Sequence, residues 1–201
     1  MKSVLISIRP KWCELIASGK KTIEVRKTHP KLPTPFKCYI YCTKERGCAN
    51  SGKVIGEFVC LDFIPFYGGK KVQGLFESDE QAEAATPIVL KKACITEKDL
   101  WAYEPKGNPI GWCISDVVIY DAPHELSEFR VEDKEAIKAC KHRFRFGQPR
   151  TEAERRLMKG GYGCAKTGVP EWCENCLIKP LASPPRDWCY VDAEQYYPKE
   201  R

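Results

Sequence analysis

The stretch Ile16-Ala-Ser-Gly-Lys-Lys-Thr-Ile-Glu-Val-Arg-Lys27 changes its hydrophobic period in the middle. Trp12 and Ile16 are four residues apart, which is a helical spacing. Further along, Ile23 and Val25 alternate with polar residues, which is typical of a strand. Gly19 lies at the change, where the end of a helix favours a residue that tolerates positive φ. The stretch therefore predicts a short helix, a glycine turn and a strand.

Charged side chains surround this turn. The alternation of a strand places Thr22, Glu24 and Arg26 on one face, and Lys21 lies at the strand entrance. A carboxylate among cations is a good way to hold an arginine in a fixed pose. An exposed Glu24–Arg26 pair would instead contribute only about 0–1 kcal/mol to stability. The residues alone leave both interpretations open.

Two motifs in this region resemble the signature of the ASCH domain, which belongs to the PUA-like superfamily. They are Ser7-Ile8-Arg9-Pro10 and Gly19-x-Lys21-x-x-Glu24-x-Arg26. Further matching segments are Tyr39–Lys44, Val54–Glu57, Leu100–Tyr103, Gly111–Trp112 and Ala122–Leu126. The similarity covers roughly residues 2–129, and it implies a β-barrel of the kind whose members typically bind RNA.

The fold class that we expect is α+β: a small mixed β-barrel of the PUA-like type with short flanking helices. Many strand patterns and few long helices favour a small barrel over a doubly wound sheet. Gly56 lies inside a long strand pattern and indicates a bulge or a close backbone approach. A short helix around residues 81–85 is expected to stop at Pro87. Thr96 with Asp99 predicts a capping box for the next helix.

The chain changes character after the barrel. Residues 130–159 hold ten Lys or Arg and only five Asp or Glu, which indicates either a solvated face or a basic arm that contacts phosphates. Residues 188–191 have a strand pattern after a Pro-Pro pair. The similar ending of longer ASCH-like proteins implies that this strand returns to the barrel. We therefore predict a barrel over 1–129, a basic, Cys-rich excursion over 130–180 and a final strand over 181–193.

Composition limits the class of protein. The 201 residues carry a formal net charge of +6 with a pI of about 8.6, which is below the basic footprint usual for strong nucleic-acid binders. The N-terminus has too short an apolar run for a signal peptide, and no segment reaches the length of a membrane span. We therefore expect a cytoplasmic protein that does not bind a membrane. Its 12 cysteines should stay reduced.

Three of these cysteines lie close together near the C-terminus. Cys173 and Cys176 form a C-x2-C pair, and Cys164 precedes it by a gap of eight residues. This spacing suits a structural zinc site with tetrahedral thiolate and imidazole ligands. Cys140, His142 and Cys189 compete for the fourth position. Buried thiols and redox chemistry are the alternatives.

Two classes of function fit the motif. The first is binding of RNA or a nucleotide in a cleft beside the Gly19 turn, with Lys21 and Arg26 on phosphate or a base edge. Tyr41 or Trp112 would stack on a base; core packing is the alternative for each aromatic and is favoured for Trp112. The predicted binding residues are Ser7, Arg9, Lys20, Lys21, Glu24, Arg26, Lys27, Tyr41 and Trp112.

The second class is an enzyme, with Lys21 and Glu24 as catalytic residues. Some ASCH-like proteins act as amidohydrolases on N4-acylated cytidine and use a threonine two residues before the motif arginine, and others are ribonucleases. This chain has Glu24 at that threonine position, so the hydroxyl nucleophile is missing there. A ribonuclease would use Lys21, Glu24 and Arg26 as acid, base and phosphate stabiliser.

Overall fold

The structure is a computed structural model that describes residues 2–67, 71–72, 79–105, 108–133, 135, 143–145, 162–164 and 178–192. The chain divides into two compact units. The first consists of residues 1–128 and 182–201, and the second of residues 129–181. In the second unit, β7 (Arg130–Glu132) pairs with β10 (Ile178–Pro180), and β8 (Arg143–Arg145) pairs with β9 (Tyr162–Cys164).

The first unit is built on one mixed sheet with three α-helices. Its strands are β1 (Lys2–Ile8), β2 (Ile23–Arg26), β3 (Phe36–Cys42), β4 (Val54–Tyr67), β5 (Lys71–Val72), β6 (Ile110–His124) and β11 (Trp188–Asp192). Its helices are α1 (Pro10–Ala17), α2 (Asp79–Ala93) and α3 (Glu97–Tyr103), and residues Leu126–Glu128 form a 3-10 turn. The strand order is β11-β1-β3-β4-β6-β2, with β5 paired to β4. Only β1 and β3 run parallel; the other described pairs in this sheet are antiparallel.

The sheet is not closed into the barrel that we expected, although the α+β class is confirmed. Its edges are β11 and β2, and no backbone ladder joins these two strands. Hydrogen bonds between β11 and the segment that follows β2 connect the two edges instead. Trp188 Nε1 donates a hydrogen bond to Thr28 Oγ1 (3.0 Å), and the Lys31 amide donates to the Tyr190 hydroxyl (2.8 Å). The prediction of a barrel was wrong because strand number and alternation do not report whether the edge strands pair.

Gly19 and Gly56 have the backbone roles expected from their positions. Gly19 follows α1 with a φ of +72°, and its amide donates to the Ile16 carbonyl (2.9 Å). At Gly56, a Cβ atom would clash with the carbonyl oxygen of Val118, and the register of β4 with β6 shifts beside it. The close backbone approach predicted for Gly56 is therefore confirmed.

Helix α2 continues through Pro87, which we expected to end it. Two residues after the proline are buried: Val89 and Ala93 pack with Ile23 and Leu100 in one apolar cluster. A proline inside a helix costs about 3 kcal/mol, and burial of a valine such as Val89 offsets about 1.5–3 kcal/mol of this cost. The tertiary contacts therefore hold the helix past the proline.

The main core lies between the sheet and α1. Trp112 is fully buried within it and makes edge contacts with Phe36 (6.1 Å between ring centroids) and Phe63 (5.6 Å). Within the part of the chain that the structure describes, no helix combines the length and apolar character needed to span a membrane.

Candidate functional site

A cavity of about 510 Å³ opens in the first unit beside the Gly19 turn. It lies among α1, β2, α3 and the segment that leads into β11. Six of the nine binding residues predicted from the sequence line it: Ser7, Arg9, Lys21, Glu24, Arg26 and Lys27. The motif side chains Lys21, Glu24 and Arg26 therefore line the same cavity.

The local sequence explains how the motif reaches the cavity. After the left-handed turn at Gly19, the Lys21 amide donates to the Leu15 carbonyl (2.9 Å), which holds the strand entrance against the end of α1. The alternation of β2 then places Glu24 and Arg26 on the same face. All three charged side chains are buried, with 2%, 5% and 8% of Lys21, Glu24 and Arg26 exposed.

Lys21 is held from three sides. Its Nζ donates to the Ala93 carbonyl (2.6 Å), lies 3.4 Å from Glu24 Oε2 and sits 4.9 Å from the ring centroid of Trp12. Burial lowers the pKa of Lys21 because it disfavours the ammonium, and the nearby Glu24 carboxylate only partly opposes this effect. The lowered pKa means that the Lys21 ammonium loses its proton more readily than a surface lysine does.

Arg26 connects the two edges of the sheet. Its Nη2 lies 3.0 Å from Glu24 Oε1 and donates to the Ser7 carbonyl (2.5 Å). Its Nη1 donates to Asp187 Oδ1 (2.7 Å). Burial acts to lower the pKa of Arg26, but the Glu24 and Asp187 carboxylates outweigh it and raise the pKa. The guanidinium is therefore charged and fixed in position.

The floor of the cavity thus contains two cations, Lys21 and Arg26, and two carboxylates, Glu24 and Asp187. The formal charges of these four groups sum to zero, and three ion pairs join them. A buried charge that is paired and hydrogen-bonded avoids most of the penalty of an isolated one. The arrangement offers several hydrogen-bonding groups without a net charge.

The rim differs from the floor. Arg9 and Arg186 are exposed, and neither makes an ion pair with the described residues. Lys27 pairs with Glu104 (2.7 Å), and its Nζ lies 5.1 Å from the ring centroid of Tyr103. The rim therefore combines exposed guanidinium groups with an aromatic ring that is 40% exposed.

Nine residues that line the cavity were not predicted as binding residues, and among them are Trp12, Tyr103, Arg186 and Asp187. We interpreted the run that contains Arg186 and Asp187 only as the entry to a strand. Two opposite charges between a Pro-Pro pair and a strand were the one signal available. The pairing of Asp187 with Arg26 could not be inferred from local pattern.

Three predicted binding residues do not line the cavity. Tyr41 and Trp112 are 2% and 0% exposed, and Trp112 belongs to the main core, so neither ring is available to stack on a base in this structure. The alternating pattern predicted on which face of its strand each aromatic lies, but not which face of the sheet is buried in the core. Lys20 is exposed but lies outside the cavity lining.

The predicted zinc site lies almost entirely outside the described residues. Cys140, His142, Cys173 and Cys176 are not described, and only the backbone of Cys164 is, in β9. Cys189 is half-buried in β11, where burial raises the pKa of its thiol to about 11. Among the described side chains, no group of three or more His, Cys, Asp or Glu is placed to hold a metal ion.

Comparison with known proteins identifies the family. The family model described as the ASCH domain matches residues 6–129. No curated protein matches this chain. A solved ASCH protein from Zymomonas mobilis is similar at 21% sequence identity, with a TM-score of 0.47 over 77% of this chain and 91% of that one.

Two point variants of the same Zymomonas mobilis protein are also similar. A tyrosine-to-phenylalanine variant has a TM-score of 0.47 and 21% identity over 78% of this chain and 95% of that one. A serine-to-alanine variant has a TM-score of 0.46 and 20% identity over 77% and 92%. The family match spans more than half of the 201 residues and contains the whole Gly19–Arg26 motif. The chain therefore belongs to the ASCH domain family.

Proposed function

We propose that this protein binds RNA or a nucleotide in the cavity of the first unit. The observation that carries the proposal is the convergence of Lys21, Glu24 and Arg26 on one cavity of about 510 Å³. This volume lies within the roughly 300–1,000 Å³ of typical small-molecule sites. The PUA-like relationship of the family supports RNA as the ligand.

The lining suits a nucleotide in two respects. Trp12 and Tyr103 supply aromatic surface at the cavity, and bases of single-stranded RNA commonly stack on such rings. Arg9 and Arg186 at the rim supply guanidinium groups, which match phosphate geometry. A base in the cavity with its phosphates at the rim would use both features.

The proposal predicts that Lys21→Ala and Arg26→Ala each weaken binding of single-stranded RNA by about tenfold or more, because each removes a charged hydrogen-bond donor. Fluorescence anisotropy with labelled RNA at several salt concentrations measures this effect. The matched control is Lys20→Ala, which removes a neighbouring exposed cation outside the cavity. Thermal unfolding of each variant shows whether it is folded.

Unchanged RNA affinity in folded Lys21→Ala and Arg26→Ala would show that the cavity is not the binding site. A fall in the Lys20→Ala variant as large as in Lys21→Ala would indicate nonspecific attraction to basic surface. The logarithm of affinity should fall linearly with the logarithm of salt if rim cations contact phosphates.

An enzymatic function is the second candidate, and the lowered pKa of Lys21 beside Glu24 favours it. A general base works best with a pKa near the working pH. Ser7 and Thr43 bring aliphatic hydroxyls to the cavity, but Ser7 Oγ already donates to the Pro185 carbonyl (2.7 Å). Incubation with N4-acetylcytidine and with labelled RNA tests both activities; turnover lost in Lys21→Ala and Glu24→Ala would establish an enzyme.

Structural zinc in the second unit is also a proposal, and its support is the spacing of Cys164, Cys173 and Cys176 in the sequence. Metal analysis of the purified protein tests it, and a protein free of zinc would rule it out.

A further inference from the structure

The segment Pro185–Asp187 completes the cavity from outside the family match, which ends at residue 129. Ser7 holds this segment with two hydrogen bonds: its amide donates to the Asp187 carbonyl (2.9 Å), and its Oγ donates to the Pro185 carbonyl (2.7 Å). The Asp187 carboxylate then contacts Arg26, 161 residues earlier in the chain, and accepts a weaker bond from Thr28 Oγ1 (3.4 Å).

Asp187 decides the charge that a ligand meets at the cavity floor. Glu24 alone would have to neutralise both Lys21, at 3.4 Å, and Arg26, at 3.0 Å, which would leave one uncompensated cation. With Asp187 at 2.7 Å from Arg26, the two cations face two carboxylates. A buried cation without this partner would attract a phosphate, whereas a balanced floor gives an anion no advantage.

The floor still has hydrogen-bonding capacity. Arg26 Nε is buried and has no hydrogen-bond partner among the residues that the structure describes. A buried unpaired donor costs free energy, and an acceptor atom of a ligand that reached it would remove this cost. Carbonyl oxygens and ring nitrogens of nucleobases are acceptors of this kind.

We infer that Asp187 is a specificity-determining residue: by neutralising Arg26 it makes the cavity floor select an uncharged, acceptor-bearing nucleobase and leaves phosphate to Arg9 and Arg186 at the rim. This inference rests on the proposed function, since it names the part of a nucleotide that enters the same cavity. It assigns to the C-terminal strand segment a role in recognition in addition to its role in the sheet.

The test compares three kinds of probe on the full-length chain: the four ribonucleosides, their 5′-monophosphates and pyrophosphate, each measured by isothermal titration calorimetry. The wild-type protein should bind at least one nucleoside more tightly than pyrophosphate. Asp187→Asn keeps the shape and an acceptor oxygen but removes the charge. It should lower the ratio of nucleoside to pyrophosphate affinity by about tenfold, the scale of one charge-assisted contact.

Arg186→Gln is the matched variant at the neighbouring position. It should weaken binding of the monophosphates by a few-fold, on the order of one exposed phosphate contact, and leave nucleoside affinity unchanged. Thermal unfolding checks that both variants are folded. Nitrogen-15 NMR of the arginine side chains gives a readout without ligand: the Arg26 signals should show freer rotation of the guanidinium in Asp187→Asn than in wild type.

Two results would overturn the inference while leaving RNA binding in place. One is an unchanged affinity ratio in a folded Asp187→Asn variant, and the other is a wild-type protein that binds pyrophosphate more tightly than every nucleoside. If wild type binds neither RNA nor any nucleoside or nucleotide, the proposed function itself fails and the inference fails with it.

Discussion

At the scale of single residues, the buried charges are the feature that distinguishes this site from an ordinary surface. The sequence left open whether Glu24 and Arg26 form an exposed pair or a fixed contact. Both side chains are buried, and Glu24 forms ion pairs with both Lys21 and Arg26. Removal of one partner from such a group leaves an uncompensated buried charge, which is more costly than loss of a surface pair.

Glu24→Gln should therefore lower the free energy of unfolding by roughly 3–5 kcal/mol, because Lys21 loses its carboxylate and Arg26 keeps only Asp187. Chemical denaturation at neutral pH measures this change. Glu125→Gln is the control: it breaks the exposed Lys53–Glu125 pair (2.9 Å) and should change stability by less than about 1 kcal/mol. Equal effects of the two substitutions would contradict a buried charge network.

At the scale of secondary structure, the helix that borders the cavity begins as the sequence predicts. Thr96 Oγ1 accepts from the Asp99 amide (3.1 Å), and the Asp99 carboxylate accepts from the Thr96 amide (2.9 Å), so the capping box is confirmed. The Thr96 hydroxyl also lies 2.7 Å from the Asp99 carboxylate, and its hydrogen bond, together with that from the Thr96 amide, lowers the pKa of Asp99. Helix α3 carries Leu100 and Tyr103 to the cavity, so its start helps to place part of the lining.

Thr96→Ala should cost about 0.5–2 kcal/mol of stability, because the N-cap acceptor is lost. Thr96→Ser keeps the hydroxyl and should cost much less. Thermal unfolding compares the two variants with wild type. If alanine and serine destabilise the protein equally, the hydroxyl does not cap α3 and the side-chain methyl group matters instead.

At the scale of the whole molecule, the C-terminal strand belongs to the same sheet as the N-terminus. Strand β11 pairs antiparallel with β1 from Lys2 opposite Asp192 to Ile6 opposite Trp188, and it buries Val191. The first unit is therefore discontinuous in the chain. It consists of residues that lie on both sides of the second unit in the sequence.

A chain that ends at Glu128 should be destabilised by several kcal/mol, because β1 loses its neighbour and Arg26 loses Asp187. Loss of a cooperative thermal transition would be the readout. The control replaces residues 130–180 with a short flexible linker, since the Leu181 amide donates to the Phe129 carbonyl (2.8 Å) and the two ends therefore meet. A truncated chain as stable as the full chain would contradict this role of β11.

Local sequence patterns were enough to predict the features that depend on a few neighbouring residues. The turn at Gly19, the close approach at Gly56, the capping box of α3 and the shared face of Glu24 and Arg26 all follow from local backbone preferences and from the two-residue period of a strand. The motifs at Ser7–Pro10 and around Lys21, taken with the further matching segments, also indicated the family.

Which surfaces are buried, and which residues distant in sequence come into contact, could be seen only in the three-dimensional structure. It placed Trp112 in the core, continued α2 through Pro87, left the sheet open and brought Asp187 to Arg26 across 161 residues. The physical reason is that burial and ion pairing depend on strand order and on what packs against each face. Neither quantity is contained in the pattern of any one segment.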